Sequence, residues 1–177
     1  IAVAIAAGPR VHETVGIALA DVSEETDADG LAYRINIIGK GDKQGDLLIV
    51  GIAAQYLKRW LDLRGNESGG VFCPINQWGR FRKVKGGEAL KAMTTEAARL
   101  ILAERCVQAG ITKRTTWHDF RRTLIGNLIR QDIGIAQRTA RHANVTMTAK
   151  YDRRPDEEAK EALRKELDRL QRSGAHR

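Results

Sequence analysis

Two cysteines, Cys73 and Cys106, are all that the 177 residues contain, and neither belongs to a CxxC pair or a Cys/His group. A disulfide framework and a structural zinc site are excluded by that count and spacing, and a reducing cytoplasm suits the usage. Nine aromatic residues offer no stacking platform, which weighs against a basic helical RNA-binding domain. No Pro/Gly/Ser-rich linker divides the chain, so one domain over 1–177 is expected. No apolar run approaches the length of a membrane span, and the opening IAVAIAA lacks the basic flank and cleavage site of a signal peptide. It reads as a core helix entered partway, so an upstream domain is expected.

Acidic residues are scarce in one place. The net charge is +8, and residues 111–154 hold ten Lys/Arg against three Asp, so this segment carries most of the excess. Charge concentrated in this way favours a polyanionic partner, nucleic acid ahead of membrane. A second basic run, RFRKVKGGEALK, has five Lys/Arg against one Glu on an expected loop, with Arg82, Lys83 and Lys85 as candidate phosphate contacts or merely solvated side chains.

Local signals give a mostly helical α+β reading. The opening helix stops at Gly8, and Pro9 suits the first position of the next, which would place Arg10 in that helix's first turn. A cation there opposes the helix dipole, so Arg10 either serves an anion or simply pairs with Glu13. Leu31, Tyr33, Ile35 and Ile37 alternate before the turn GKGDKQG, and Asp46 to Val50 resumes in an extended pattern. A β-hairpin with Lys40 and Lys43 at its tip is the expectation. Thr94 caps a helix to about Ala109, and Thr116 with Asp119 opens another at Trp117 whose apolar face is Phe120, Leu124 and Leu128. A further helix reaches about Arg141, and a last short one is expected to hold Tyr151 before Pro155. Residues 156–173 are expected to form an amphipathic helix with Ala159, Leu163, Leu167 and Leu170 on one stripe.

Within the basic segment, His118 and Arg121 stand three apart on one helix, and Tyr151 follows His142 by nine residues. Either pair alone is commonplace. Together they lie in a longer order: GPRVHETVGIALADV, INIIGKGDK, HDFRRT and RHANVTMTAKY. Four such boxes in sequence resemble the catalytic domain of the tyrosine recombinase family, the phage integrases and their relatives, over nearly the whole chain. Carried over residue by residue, the resemblance implies Arg10, Lys40, His118, Arg121, His142 and Tyr151 as catalytic, and Glu13 as the acid orienting a catalytic side chain.

The resemblance implies DNA cleavage and rejoining through a 3′-phosphotyrosine, on double-stranded DNA, with neither ATP, metal nor cofactor. The residue types suit that chemistry. Two guanidiniums, Arg10 and Arg121, can grip the non-bridging oxygens of a phosphodiester and favour the more highly charged transition state. A phenol, with an ordinary pKa of about 10, is a poor nucleophile at neutral pH without such help. His118 is the candidate for proton transfer from Tyr151, His142 for a further donor to the phosphate, and Lys40 for the general acid to the leaving 5′ oxygen, with Lys43 as substitute. Arg122 and Arg141 join Arg82, Lys83 and Lys85 as expected DNA contacts.

By the same resemblance the protein is expected to assemble on DNA as a tetramer, exchanging its C-terminal helix between protomers. A mobile-element integrase, cytoplasmic and associated with the nucleoid, is the role it leans toward. The chain departs from the family pattern at Pro9, at Thr14 and at Arg141, where glycine is usual. A type IB topoisomerase-like activity and a non-catalytic DNA-binding or assembly module stay open as alternatives.

Overall fold

A computed structural model describes residues 1–28, 30–39, 44–142 and 144–152, together with 160, 161, 164 and 165. The hairpin tip with Lys40 and Lys43, and nearly all of the expected C-terminal helix, lie outside the described residues.

Seven helices and a three-stranded sheet make up the described residues. Helix α1 (Ala2–Ala7) ends at Gly8, whose left-handed φ of 56° lets its N–H bond back to the Ala4 carbonyl. A Cβ at Gly8 would also meet the Arg121 Cα at 3.2 Å, so glycine permits both the turn and the close approach of two helices. Helix α2 (Val11–Gly16) follows with Arg10 as its N-cap in extended conformation. Here the expectation shifts by a residue: Pro9 and Arg10 precede the helix, because the Glu13 carboxylate takes the Arg10 backbone N–H at 2.7 Å and starts the helix after it.

A 3-10 turn (Leu19–Asp21) leads into antiparallel strands β1 (Val22–Asp27), β2 (Gly30–Ile38) and β3 (Gln44–Ile49), in the order β1-β2-β3. The expected hairpin is β2 and β3, and β1 is an addition. Helices α3 (Gly51–Arg64), α4 (Thr95–Gln108), α5 (Trp117–Ile129), α6 (Ile133–Ala140) and α7 (Val145–Ala149) complete the fold.

Three apolar clusters stack through the molecule. Val3 and Ala7 of α1 join the inner sheet face, including Tyr33, Ile35, Leu47 and Ile49, and the α3 side chain Leu57. Ala4, on an adjoining face of α1, packs with Val15, Ala98, Leu102 and Trp117. Being apolar all round, this six-residue helix is a pillar between two cores, and it seats α5 against the rest of the fold. The third cluster, Ile125, Ile129, Ala136 and Ala140, joins α5 to α6, with Tyr151 packed on it.

The buried face of α5 is not the expected one. Trp117, Arg121, Ile125 and Ile129 face inward, while Phe120, Leu124 and Leu128 flank them half-buried. The apolar stripe was centred one residue off because the true centre includes a charged residue. Among the described residues no helix is long and apolar enough to cross a membrane.

Candidate active site

Arg121 is 2% exposed, and its guanidinium links the ends of two helices. Nη1 donates to the Gly8 carbonyl at 2.8 Å, and Nη2 donates to the Ala140 carbonyl at the last residue of α6. Both acceptors are helix-terminal carbonyls that lack partners within their own helices. Arg121 is thereby held where Arg10, Arg141, Glu13 and Tyr151 all act on it electrostatically. Burial, then the positive charges of Arg10 and Arg141, pulls its guanidinium below the ordinary value.

Glu13 is the organising acid. Its Oε1 accepts from Arg10 Nη1 at 2.9 Å, and its Oε2 accepts from the Arg10 backbone and from Arg141 Nη2, both at 2.7 Å. Its side chain is fully buried. Burial alone would push its carboxyl up, but the Arg10 N–H, Arg141 and the Arg10 guanidinium outweigh it and hold the acid below its ordinary range. Position three of α2 adds favourable placement for a negative charge.

Arg141, expected to contact DNA, lies mostly buried, 16% exposed, with one arm on Glu13, and its backbone takes the left-handed turn that ends α6 (φ 54°). His142 follows directly, 8% exposed, with Nδ1 2.9 Å from the buried Thr148 hydroxyl. Burial, followed by the charges of Arg121, Arg10 and Arg141, lowers its pKa and keeps the imidazole neutral at pH 7.

Tyr151 lies in the turn after α7 rather than within a helix, since α7 ends at Ala149 and the Tyr151 N–H bonds back to the Thr148 carbonyl at 2.9 Å. Its ring is stacked with His142 at 5.6 Å between centroids and tilted against the exposed His118 at 6.1 Å. Asp119 serves the start of α5: its carboxylate accepts from the Thr116 N–H and hydroxyl.

The structure thus brings Arg10, Glu13, His118, Arg121, Arg141, His142 and Tyr151 into one neighbourhood, from the two ends of the described chain. Lys40 lies outside the described residues. Arg82, Lys85 and Arg122 are exposed, while Lys83 is engaged by Glu88 at 2.7 Å and Glu67 at 3.3 Å. Thr148 was missed by sequence reasoning, and only its place six residues after His142 and three before Tyr151 could have marked it. Among the described residues no group of His, Cys, Asp and Glu could hold a metal ion.

This architecture is the tyrosine recombinase fold. A solved XerA recombinase superposes with a TM-score of 0.67 at 23% identity, covering 93% of this chain and 56% of that one. A XerH site-specific recombinase bound to palindromic difH substrate in a post-cleavage complex gives 0.63 at 22% identity, covering 85% of this chain and 40% of that one. The Tn1549 transposon integrase in complex with a circular intermediate DNA gives 0.64 at 17% identity, over 96% of this chain and 57% of that one. The phage integrase family model matches residues 1–158, and the chain belongs to that family. Tyrosine recombinase XerD of Corynebacterium glutamicum is 26% identical over 151 residues, 81% of this chain and 43% of XerD. Tyrosine recombinase XerC of Vibrio atlanticus is 41% identical over 59 residues, 33% of this chain and 17% of XerC. The chain therefore spans less than half the length of XerD and XerC.

Proposed function

We propose that this chain is the catalytic domain of a site-specific DNA recombinase that cuts and rejoins double-stranded DNA through a 3′-phosphotyrosine. The observation that carries the proposal is the placing of the Tyr151 ring between His142, on which it stacks, and the tilted His118, beside a guanidinium cluster in which, among the described residues, Arg121 bonds only carbonyls. A buried cation cluster of this kind is stabilised by an anion, and a phosphodiester presents one to a phenol nucleophile.

In the reaction, the Tyr151 oxygen attacks phosphorus and the bond to the 5′ oxygen breaks. The phenol proton leaves by way of His118, and the departing oxygen takes one from Lys40. Arg10 and Arg121 hold the non-bridging oxygens, and neutral His142 donates a hydrogen bond to one of them. Glu13 fixes Arg10 from behind. The free 5′ hydroxyl of a second strand reverses these steps on the same phosphotyrosine, conserving the bond energy. Protein cations neutralise the developing charge, so the scheme calls for no metal or nucleotide cofactor. Arg82, Lys85 and Arg122 are the proposed contacts to flanking phosphates, which position DNA without reading its sequence.

Self-association completes the proposal: four protomers on DNA, with the C-terminal helix of one seated on the next. An apolar groove of about 690 Å³ lined by Tyr56, Trp60, Phe72 and Ile75 supports it, because the stripe from Ala159 to Leu170 needs such a surface. The proposed setting is the cell's own DNA, at the nucleoid.

The test incubates the full-length protein, beside Tyr151→Phe, with nicked duplexes pooled from the source genome in EDTA without ATP, and reads a denaturing gel. A covalent adduct lost in the variant is expected, together with joined product that disappears when the chain is cut after residue 155. Folded, DNA-bound wild type without an adduct overturns the catalytic reading in favour of a binding module. Equal loss of adduct and joined product on truncation overturns the helix exchange.

A further inference from the structure

Arg141 is the one non-glycine residue with positive φ among those described, at 54°. Its side chain runs from the end of α6 to Glu13 on α2, and its stem lies so close to β3 that a Cβ on Gly45 would come within 2.6 Å of its Cδ. The residue bears two costs. In the left-handed region the Cβ of any L side chain crowds a backbone carbonyl, and the Arg141 Nη1 is buried with no hydrogen-bond partner among the described residues. Glycine at this position would avoid both.

Charge supplies the compensation. Glu13 must be buried to hold Arg10, and its negative charge then cancels one of the two guanidiniums on which phosphate binding depends. With Arg141 present, three guanidiniums face one carboxylate and leave two positive charges in the cluster. A glycine would leave one. The transition state for attack on a phosphodiester carries about two negative charges where the ground state carries one, so the extra cation favours the transition state selectively.

We propose that Arg141 is a positioning residue of this site: it clamps the Glu13 carboxylate in the orientation that holds Arg10, and offsets that carboxylate's charge at the reacting phosphate. The proposal rests on the phosphotyrosine reading above. It goes beyond it in assigning the cluster's third arginine to the chemistry through Glu13 rather than to contact with DNA.

The test compares wild type, Arg141→Gly and Arg141→Lys in the full-length protein, measuring the single-turnover rate of adduct formation, the melting temperature and the His142 titration by NMR. Glycine suits the left-handed backbone, and this gain opposes the loss of one cation beside the buried Glu13, so Arg141→Gly should melt close to the wild-type temperature. Its adduct rate should nevertheless fall roughly tenfold or more, short of the 100- to 1,000-fold typical when a donor touching the reacting group is removed. Lysine, which keeps the charge, should restore part of the rate.

The groups facing His142 are Arg10, Arg121, Arg141, the Tyr151 ring and the Thr148 hydroxyl. Removing one of the three cations should move the His142 titration upward, which loss of a mere strut would not do. An undiminished rate in Arg141→Gly, beside a wild type that forms adduct, overturns this inference alone. So does a lowered melting temperature with no rescue by lysine. No adduct from wild type overturns the underlying reading and this inference with it.

Discussion

Two arginines are buried to the same degree, Arg64 at 3% and Arg121 at 2%, and the structure assigns them opposite characters. Arg64, at the end of α3, donates Nε to the Gly70 carbonyl at 3.0 Å, Nη1 to those of Gly65 and Glu67, and Nη2 to that of Gly69 at 3.3 Å. Its guanidinium is used up in closing one loop. Arg64→Met keeps most of the aliphatic bulk but removes four hydrogen bonds, at about 1 kcal/mol each, leaving the Gly69 carbonyl to the Leu19 N–H and the Gly70 carbonyl to the Cys73 thiol. A loss of about 3–5 kcal/mol is expected, which lowers the melting temperature by roughly 6–20 °C for a domain of this size.

Arg121→Met strands two carbonyls, about 2–3 kcal/mol. Against that, it ends the burial of a cation that no carboxylate among the described residues bonds, and relieves repulsion from Arg10 and Arg141. Exchanging such a group for an apolar one is often close to neutral, so the net change should stay within about 2 kcal/mol. The assay is thermal melting of both variants, with adduct yield measured where each is fully folded. Arg64→Met should react within about threefold of wild type, and Arg121→Met should lose on the order of 100-fold or more. If Arg121→Met proves as unstable as Arg64→Met and still forms adduct, Arg121 is a structural brace and the phosphate-binding argument fails.

Acid should weaken this fold through two groups. Glu13 has a depressed pKa, so its contribution is present above the ordinary carboxylate value of 4.5 and is lost as pH falls through the lower folded value; Glu13→Gln should melt lower at pH 7 and flatten that acid limb, and an unchanged limb would refute the assignment. His142 is likewise depressed, so its neutral form stabilises the fold above 6.5 and the benefit is lost as pH drops through its folded pKa. Thr148→Val preserves shape but leaves the His142 Nδ1 without its partner, at a cost of about 1–3 kcal/mol. Its melting temperature should fall by roughly 2–12 °C, and no fall would mean that the hydroxyl does not hold the ring.

What could be read from the sequence was what local chemistry decides. Gly8 ends α1 because only a residue without a Cβ fits both its backbone and its neighbour, and Thr94 caps α4 by accepting the Ala97 N–H at 3.1 Å. The β2 alternation was legible because one face of that strand is core. Strand β1 was not, since VSEETD shows no apolar alternation. It is held by pairing, with Glu24 opposite Tyr33 and bonded to its hydroxyl at 2.7 Å, and Arg34 reaching Glu25 at 2.6 Å. Those partners lie on another strand, where no window along β1 can see them.

The same blindness explains the errors at the site, and it points to a use for them. A search for an apolar stripe passes over Arg121, because a charge at the centre of a buried face contradicts the pattern that defines the face. In the sequence Arg141 reads as an added DNA contact, and nothing local says that its backbone turns left-handed and sends the side chain to Glu13, 128 residues away. Both arginines stand where folding alone would have chosen otherwise: leucine or methionine at 121, glycine at 141. Two departures from the stable choice, meeting within reach of one tyrosine and one buried acid, are hard to explain by packing. They follow directly if the cluster is built to bind a phosphate, the proposed function.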